Sequence, residues 1–160
     1  MPLMPVDQVL VSVLIFDEDG RLQGAEPALL GLARRDNSTP GIGQRKNSNI
    51  RTDERATRAG RLIASLGRDV YGGEMLWMAY DTAISLHPIV KGTSEDRRSQ
   101  RLNSKSPDDN RISYGCINVP IKFYELLIRH TFSGISGIVY ILPETRTAQE
   151  VFGSCDVKNL

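Results

Sequence analysis

One stretch of this chain has the best helical periodicity, and most of its other apolar runs are short and cut by turn residues. That pattern confines the chain to a mostly β architecture. In Val119 to Phe132, Tyr124, Leu127, Ile128 and Phe132 form an apolar stripe. Asn118 stands at the N-cap position, Pro120 falls in the first turn, and Gly134 and Gly137 end the run. Elsewhere Val9 to Phe16 reads as a strand, turned at Asp17-Glu18-Asp19-Gly20 into a return strand from Arg21. Ala28 to Ala33, Leu62 to Leu66 and Gly137 to Leu142 read as further strands, and so does the alternating run Met75 to Leu86. Arg34 to Arg58 reads as a long polar loop. Lys91 to Arg111 is a charged insertion with six basic and four acidic side chains, in which Thr93 caps a predicted short helix reaching Leu102. Ile112 to Ile117 is short and mixed. Strands outnumber helices, so the expectation is a mainly β fold with one or two helices, in a single domain over residues 1–160.

Composition narrows the function classes. A net charge of +1, from 20 basic and 19 acidic residues, argues against a dedicated nucleic-acid binder. Val9 to Phe16 is the longest apolar stretch and falls far short of the roughly 20 residues of a membrane span. Met1 to Asp7 has no basic segment followed by an apolar one, so no export signal is visible. Two cysteines, Cys116 and Cys155, are too few for a disulfide framework, though they could pair once. No C-x-x-C, histidine cluster or ligand spacing suggests zinc.

The stretch Arg111-Ile112-Ser113-Tyr114-Gly115-Cys116-Ile117-Asn118 carries the chemistry. Cys116 lies just ahead of the predicted helix, whose free N–H groups and dipole would favour a thiolate and bind an oxyanion beside it. Gly115 allows close backbone approach. A thiol nucleophile needs a base, and the chain has two histidines. His130 lies 14 residues beyond Cys116 on the predicted helix, roughly 20 Å along its axis, too far for proton transfer. That leaves His87, at the end of the predicted strand. Against this stands the plain alternative of a small buried cysteine and a turn histidine.

Ser113-Tyr114-Gly115-Cys116-Ile117-Asn118 resembles the catalytic signature of YkuD-type L,D-transpeptidases, Ser/Thr-His-Gly-Cys-apolar-Asn/Arg. Leu86-His87-Pro88 matches that family's upstream histidine, and Thr57-Arg58-Ala59-Gly60-Arg61-Leu62 resembles its Thr-Pro-x-Gly-x-Phe strand. The likeness runs roughly from residue 8 to residue 152. Arg58 and Leu62 stand where that strand has Pro and Phe, and two further departures matter. Tyr114 replaces the signature histidine; it donates a hydrogen bond but, with a free phenol titrating at about 10, exchanges no proton near neutrality. His87 and Cys116 are separated by 28 residues, more than in the family. The excess is the charged insertion, which would form a lid or a substrate wall.

The resemblance implies an L,D-transpeptidase-like β-sandwich and acyl transfer on peptidoglycan stem peptides in the periplasm or cell envelope, with no metal or organic cofactor. It implies that Cys116 attacks the carbonyl and His87 takes the thiol proton. The amides of Gly115, Cys116 and Tyr114 would hold the oxyanion, and carbapenems would react at Cys116. Around that centre, Ser113 fixes His87, meets substrate or is a turn hydroxyl. Asn118 is a helix cap or a substrate ligand, and Arg111 is placed to pair with a substrate carboxylate. Tyr80 and Trp77 line the cleft or join the core, and Cys155 is a bystander. The rival readings are an L,D-carboxypeptidase or amidase, a non-catalytic peptidoglycan-binding domain, and a redox protein using Cys155 as resolving thiol.

Overall fold

The computed structural model describes residues 1–153. Its strands are β1 (Leu3–Asp7), β2 (Ser12–Phe16), β3 (Leu22–Pro27), β4 (Leu30–Gly31), β5 (Gly60–Arg68), β6 (Glu74–Ala79), β7 (Ile84–Pro88), β8 (Arg111–Ser113), β9 (Ile117–Val119) and β10 (Gly137–Leu142). Eight form one sheet in the order β3-β2-β1-β10-β5-β6-β7-β9, and β4 pairs with β8. Two residues past β3, at one edge, Leu29 exchanges both backbone hydrogen bonds with Asn118 on β9, at the other edge (2.8 and 2.9 Å). The sheet thereby nearly closes on itself.

The pleat explains the core. Alternate residues of β1, β2 and β10 are buried, Met4 and Val6, Val13 and Ile15, Val139 and Ile141 among them, and Ile84, Leu86, Ile117 and Val119 of β7 and β9 join them. They form one cluster with Phe123, Tyr124, Ile128 and Phe132 from the main helical run, each fully buried side chain contributing about 1.5–3 kcal/mol. The fold is mainly β, as expected; among the described residues the helical segments beyond short 3-10 turns are three rather than one or two, α1 (Arg98–Leu102), the run over residues 121–131, and Ala148–Phe152.

Several boundaries differ from expectation for identifiable reasons. β1 went unread because Pro5 sits inside it and proline argues against a central strand; yet β1 lies between β2 and β10, so the core begins near residue 3 and not residue 8. Val9 and Leu10 belong to a turn, their amides capped by the Asp7 carboxylate (2.8 Å each). Met75 to Leu86 is two strands, because the chain reverses at Tyr80 to Ala83, where Ala83 takes φ 52°. The insertion helix starts only at Arg98. The main helical run starts at residue 121 and adopts π-type bonding over Tyr124–Ile128. Cys155 lies outside the described residues.

One buried carboxylate ties the chain's later loops to the sheet. Asp36, 3% exposed, accepts from the amides of Glu144 (2.8 Å), Thr145 (2.8 Å) and Arg146 (2.7 Å) and from the Thr145 hydroxyl (2.7 Å). Burial pushes its pKa up, but these donors outweigh burial and hold it below the ordinary carboxylate value. A depressed folded-state pKa adds stability above the unfolded value, about 3.9, which is lost as pH falls through the folded value. Asp36→Asn should therefore cost about 2–3 kcal/mol at pH 7. In thermal melts its deficit against wild type should shrink below about pH 4; a deficit constant from pH 7 to 3 would exclude the charge as its source.

Candidate active site

β7 and β9 run parallel and in register, with Leu86 opposite Ile117 and His87 opposite Asn118. Their odd-even alternation sorts side chains to two faces. Ile84, Leu86, Ile117 and Val119 enter the core, while Ser85, His87, Cys116 and Asn118 face a groove of about 530 Å³ on the other side. The groove is also lined by Ile42, Trp77, Val90, Arg98, Ser113 and Tyr114. Cys116 is partly accessible. Two distant pieces of chain thus present an imidazole and a thiol to one cavity.

The imidazole tautomer follows from its partners. Nδ1 lies 2.8 Å from the Pro88 carbonyl oxygen, which only accepts, so Nδ1 carries the proton. Nε2 then holds the lone pair, with the Asn118 amide nitrogen 3.4 Å away as donor. The Cys116 sulfur lies 3.4 Å from the Ser85 hydroxyl and 3.5 Å from the Ala83 carbonyl oxygen. Burial disfavours the charged form of both groups. For Cys116 the neighbouring His87 imidazole, with the Ser85 hydroxyl, more than offsets burial and lowers its pKa. For His87 the same interaction with Cys116, with the Pro88 carbonyl, more than offsets burial and raises it. Both shifts run toward the thiolate–imidazolium form of the pair.

The turn before the cysteine is held from three sides. Ser113, 3% exposed, donates to the Cys116 carbonyl oxygen (2.6 Å) and accepts from the Gly115 amide (3.1 Å). Thr57, fully buried, accepts from the Gly31 amide and donates to the Gly115 carbonyl oxygen, both at 2.9 Å. Gly115 takes φ +133°, and a Cβ there would lie 2.8 Å from the Ala56 carbonyl oxygen, so only glycine fits. Tyr114 lines the groove with the Arg55 guanidinium 4.1 Å over its ring.

Several expectations are corrected. The helix does not begin beside Cys116: β9 intervenes because Ile117 and Val119 are drawn into the core against β7, and helix begins only after Pro120. Helix-terminal donors therefore do not serve the sulfur. Asn118 is no cap but a strand residue, 1% exposed, whose side chain bridges His87 and Arg98. Ser113 closes the turn and makes no hydrogen bond to His87. The Gly115 amide is already given to Ser113, so it is not free for an oxyanion. Arg111, 5% exposed, is spent on Glu144 (2.7 Å) and the Gln8 carbonyl oxygen (2.6 Å), away from the groove. Tyr80 is 74% exposed and stacks on Trp77 at 4.9 Å; Trp77 lines the groove and Tyr80 does not. The charged insertion is braced from within, and its Arg98 lines the groove. Arg101 donates across it to the Asp96 and Asp109 carbonyl oxygens (2.8 and 3.1 Å), and Asn110 donates to the Ala28 carbonyl oxygen (2.9 Å).

Ser85 and Arg98 were missed as site residues. Ser85 had a readable signal, since it stands two residues before His87 on a strand and so shares its face. Arg98 had none, because a charge in a charged insertion reads as solvated surface.

No protein-family model matches the sequence, and no curated protein does. The solved structures similar to it include an L,D-transpeptidase (Yku) from Stackebrandtia nassauensis, with a TM-score of 0.53 and 15% identity over 89% of this chain and 56% of that one. They also include the helical cell shape determining protein Pgp2 from Campylobacter jejuni, with a TM-score of 0.57 and 14% identity over 91% of this chain and 49% of that one. LD transpeptidase LdtMt1 in complex with imipenem matches with a TM-score of 0.50 and 14% identity over 86% of this chain and 58% of that one. The chain spans only about half the length of these proteins. At such identities the likeness is one of fold. This chain has the fold of the YkuD-type L,D-transpeptidases.

Proposed function

We propose that the chain is a cysteine-dependent acyl-transfer enzyme of the L,D-transpeptidase kind, acting on peptidoglycan stem peptides in the periplasm or cell envelope. The observation that carries this reading is the Cys116 thiol sharing a groove with a His87 imidazole whose Nδ1 is held by the Pro88 carbonyl, which leaves Nε2 as the basic nitrogen. Such a pair activates sulfur for attack on a carbonyl.

In this reading the Cys116 sulfur bonds to the carbonyl carbon on the L-centre of an L,D peptide bond, and His87 Nε2 holds the thiol proton. The amides of Cys116 and Tyr114 are the candidate oxyanion donors, since Gly115 is engaged by Ser113. When the C–N bond breaks, His87 returns the proton to the departing amine of the D-residue, leaving a thioester on Cys116. An incoming amine loses its proton to His87 and takes the acyl group, giving a cross-link; water in its place gives trimming. Transfer and hydrolysis share the thioester, and product analysis on purified muropeptides separates them.

A carbapenem added to the protein is expected to give one covalent adduct by intact-mass spectrometry, absent in Cys116→Ala. No adduct on the folded protein would favour a non-catalytic peptidoglycan-binding domain, and an adduct persisting in Cys116→Ala would remove Cys116 from the chemistry.

A further inference from the structure

The insertion between β7 and β8 brings a charged side chain into the groove. Arg98 opens α1, whose Leu102 is buried as an anchor. The Arg98 side chain is only 14% exposed and lines the same cavity as Cys116 and His87. Its Nε donates to Asp96 (3.3 Å) and its Nη1 to the Asn118 side-chain oxygen (2.9 Å). Asn118 in turn offers its amide nitrogen to His87 Nε2 at 3.4 Å, so the guanidinium lies two hydrogen bonds from the imidazole. Among the described residues none accepts from Nη2 of Arg98.

The charge of the groove is one-sided. Among the described residues two guanidinium groups, Arg45 and Arg98, line it, and no aspartate or glutamate does. Arg45 is committed to both oxygens of the buried Glu54 (3.1 and 3.2 Å). Arg98 meets its carboxylate through Nε alone, and that Asp96 oxygen also accepts from the Thr93 amide (3.2 Å). A planar guanidinium with Nη2 unengaged, largely shielded from water and lining the same groove as the thiol, suits a carboxylate.

We propose that Arg98 is the carboxylate-binding side chain of this groove and holds a free carboxylate of the acyl donor beside the bond under attack. The substrate identity rests on the acyl-transfer reading above: when the last bond of an L,D-linked peptide is cut, the leaving residue carries its α-carboxylate next to the attacked carbonyl. The arrangement also couples binding to chemistry. The Arg98 charge works against a positive His87, and a bound carboxylate cancels that opposition when the imidazole must take a proton.

The test compares alkylation of Cys116 by iodoacetate and by iodoacetamide, reagents that differ in carrying a carboxylate, followed by intact mass. The rate ratio of iodoacetate to iodoacetamide should exceed that of a small neutral thiol by about tenfold, as a focusing cationic cleft provides. Arg98→Lys, which keeps the charge, should retain part of the preference. Arg98→Gln combined with Asp96→Asn, which leaves no uncompensated carboxylate, should abolish it. A purely structural Arg98 would slow both reagents alike, and an unchanged ratio in the double variant, or no preference in wild type, overturns the proposal. A second arm offers a stem peptide with a free C-terminal carboxylate and the same peptide amidated. Faster acylation by the acid supports both readings. Equal acylation overturns the role of Arg98 and leaves acyl transfer standing, whereas iodoacetate preference without acylation by either peptide supports the carboxylate site and overturns acyl transfer.

Discussion

His87→Asn is expected to slow acylation of Cys116 by a carbapenem by about 10²- to 10⁴-fold, the range that a positioned acid–base group contributes. Two losses combine. The base is gone, and the thiol loses the principal partner that offsets its burial, so its pKa moves up rather than down. A reagent that needs no proton transfer isolates the second loss. For iodoacetamide, each unit that the thiol pKa moves above the assay pH cuts the thiolate tenfold, while the more basic sulfur recovers only about threefold. In wild type the rate should hold to below the ordinary thiol range, about 8.5, because Cys116 is depressed. In His87→Asn the profile should shift to higher pH. Superimposable profiles would show that His87 does not set the state of the sulfur, and the proposed pairing would be abandoned. Ser85→Ala should shift the profile in the same direction by less, since the hydroxyl ranks behind His87 among the groups lowering the thiol.

Arg111→Met is expected to destabilise the protein by about 3–5 kcal/mol, read as a fall in the urea midpoint at constant slope. The substitution strands Glu144, whose side chain is 3% exposed, and leaves the Gln8 carbonyl oxygen without its 2.6 Å donor. Arg34 lies 3.4 Å from the same Glu144 oxygen but is half-exposed and covers only part of the loss. Removing both charges together, Arg111→Met with Glu144→Met, should recover much of it, because desolvating the pair offsets a large part of its attraction. In that double variant Cys116 alkylation should match wild type, since the guanidinium does not reach the groove. A double variant no more stable than the single would mean that the cost lies in β8 packing and not in the stranded charge. A loss of alkylation in a folded double variant would return Arg111 to the site.

The sequence alone determined the mainly β class, the closing strand Gly137–Leu142, and the candidate pair Cys116 and His87. These rest on short-range patterns: period-2 burial, turn residues and the scarcity of histidine. Thr57 and Gly115 were marked by their motifs, but their reasons were tertiary, since a hydroxyl holds a carbonyl 58 residues away and a Cβ would strike a distant backbone oxygen. Only the folded chain decided which polar residues face the groove. Arg111 and Arg98 are both arginines in the same charged stretch, yet one pairs with Glu144 in the interior and the other enters the cavity. Asn118 looked like a helix cap because Pro120 follows it, but β7 claimed Ile117 and Val119 for the core and extended the sheet past the cysteine. Burial of apolar surface against a neighbouring strand outweighed local helix propensity there. That competition lies between segments far apart in the chain, so no local window of sequence contains it.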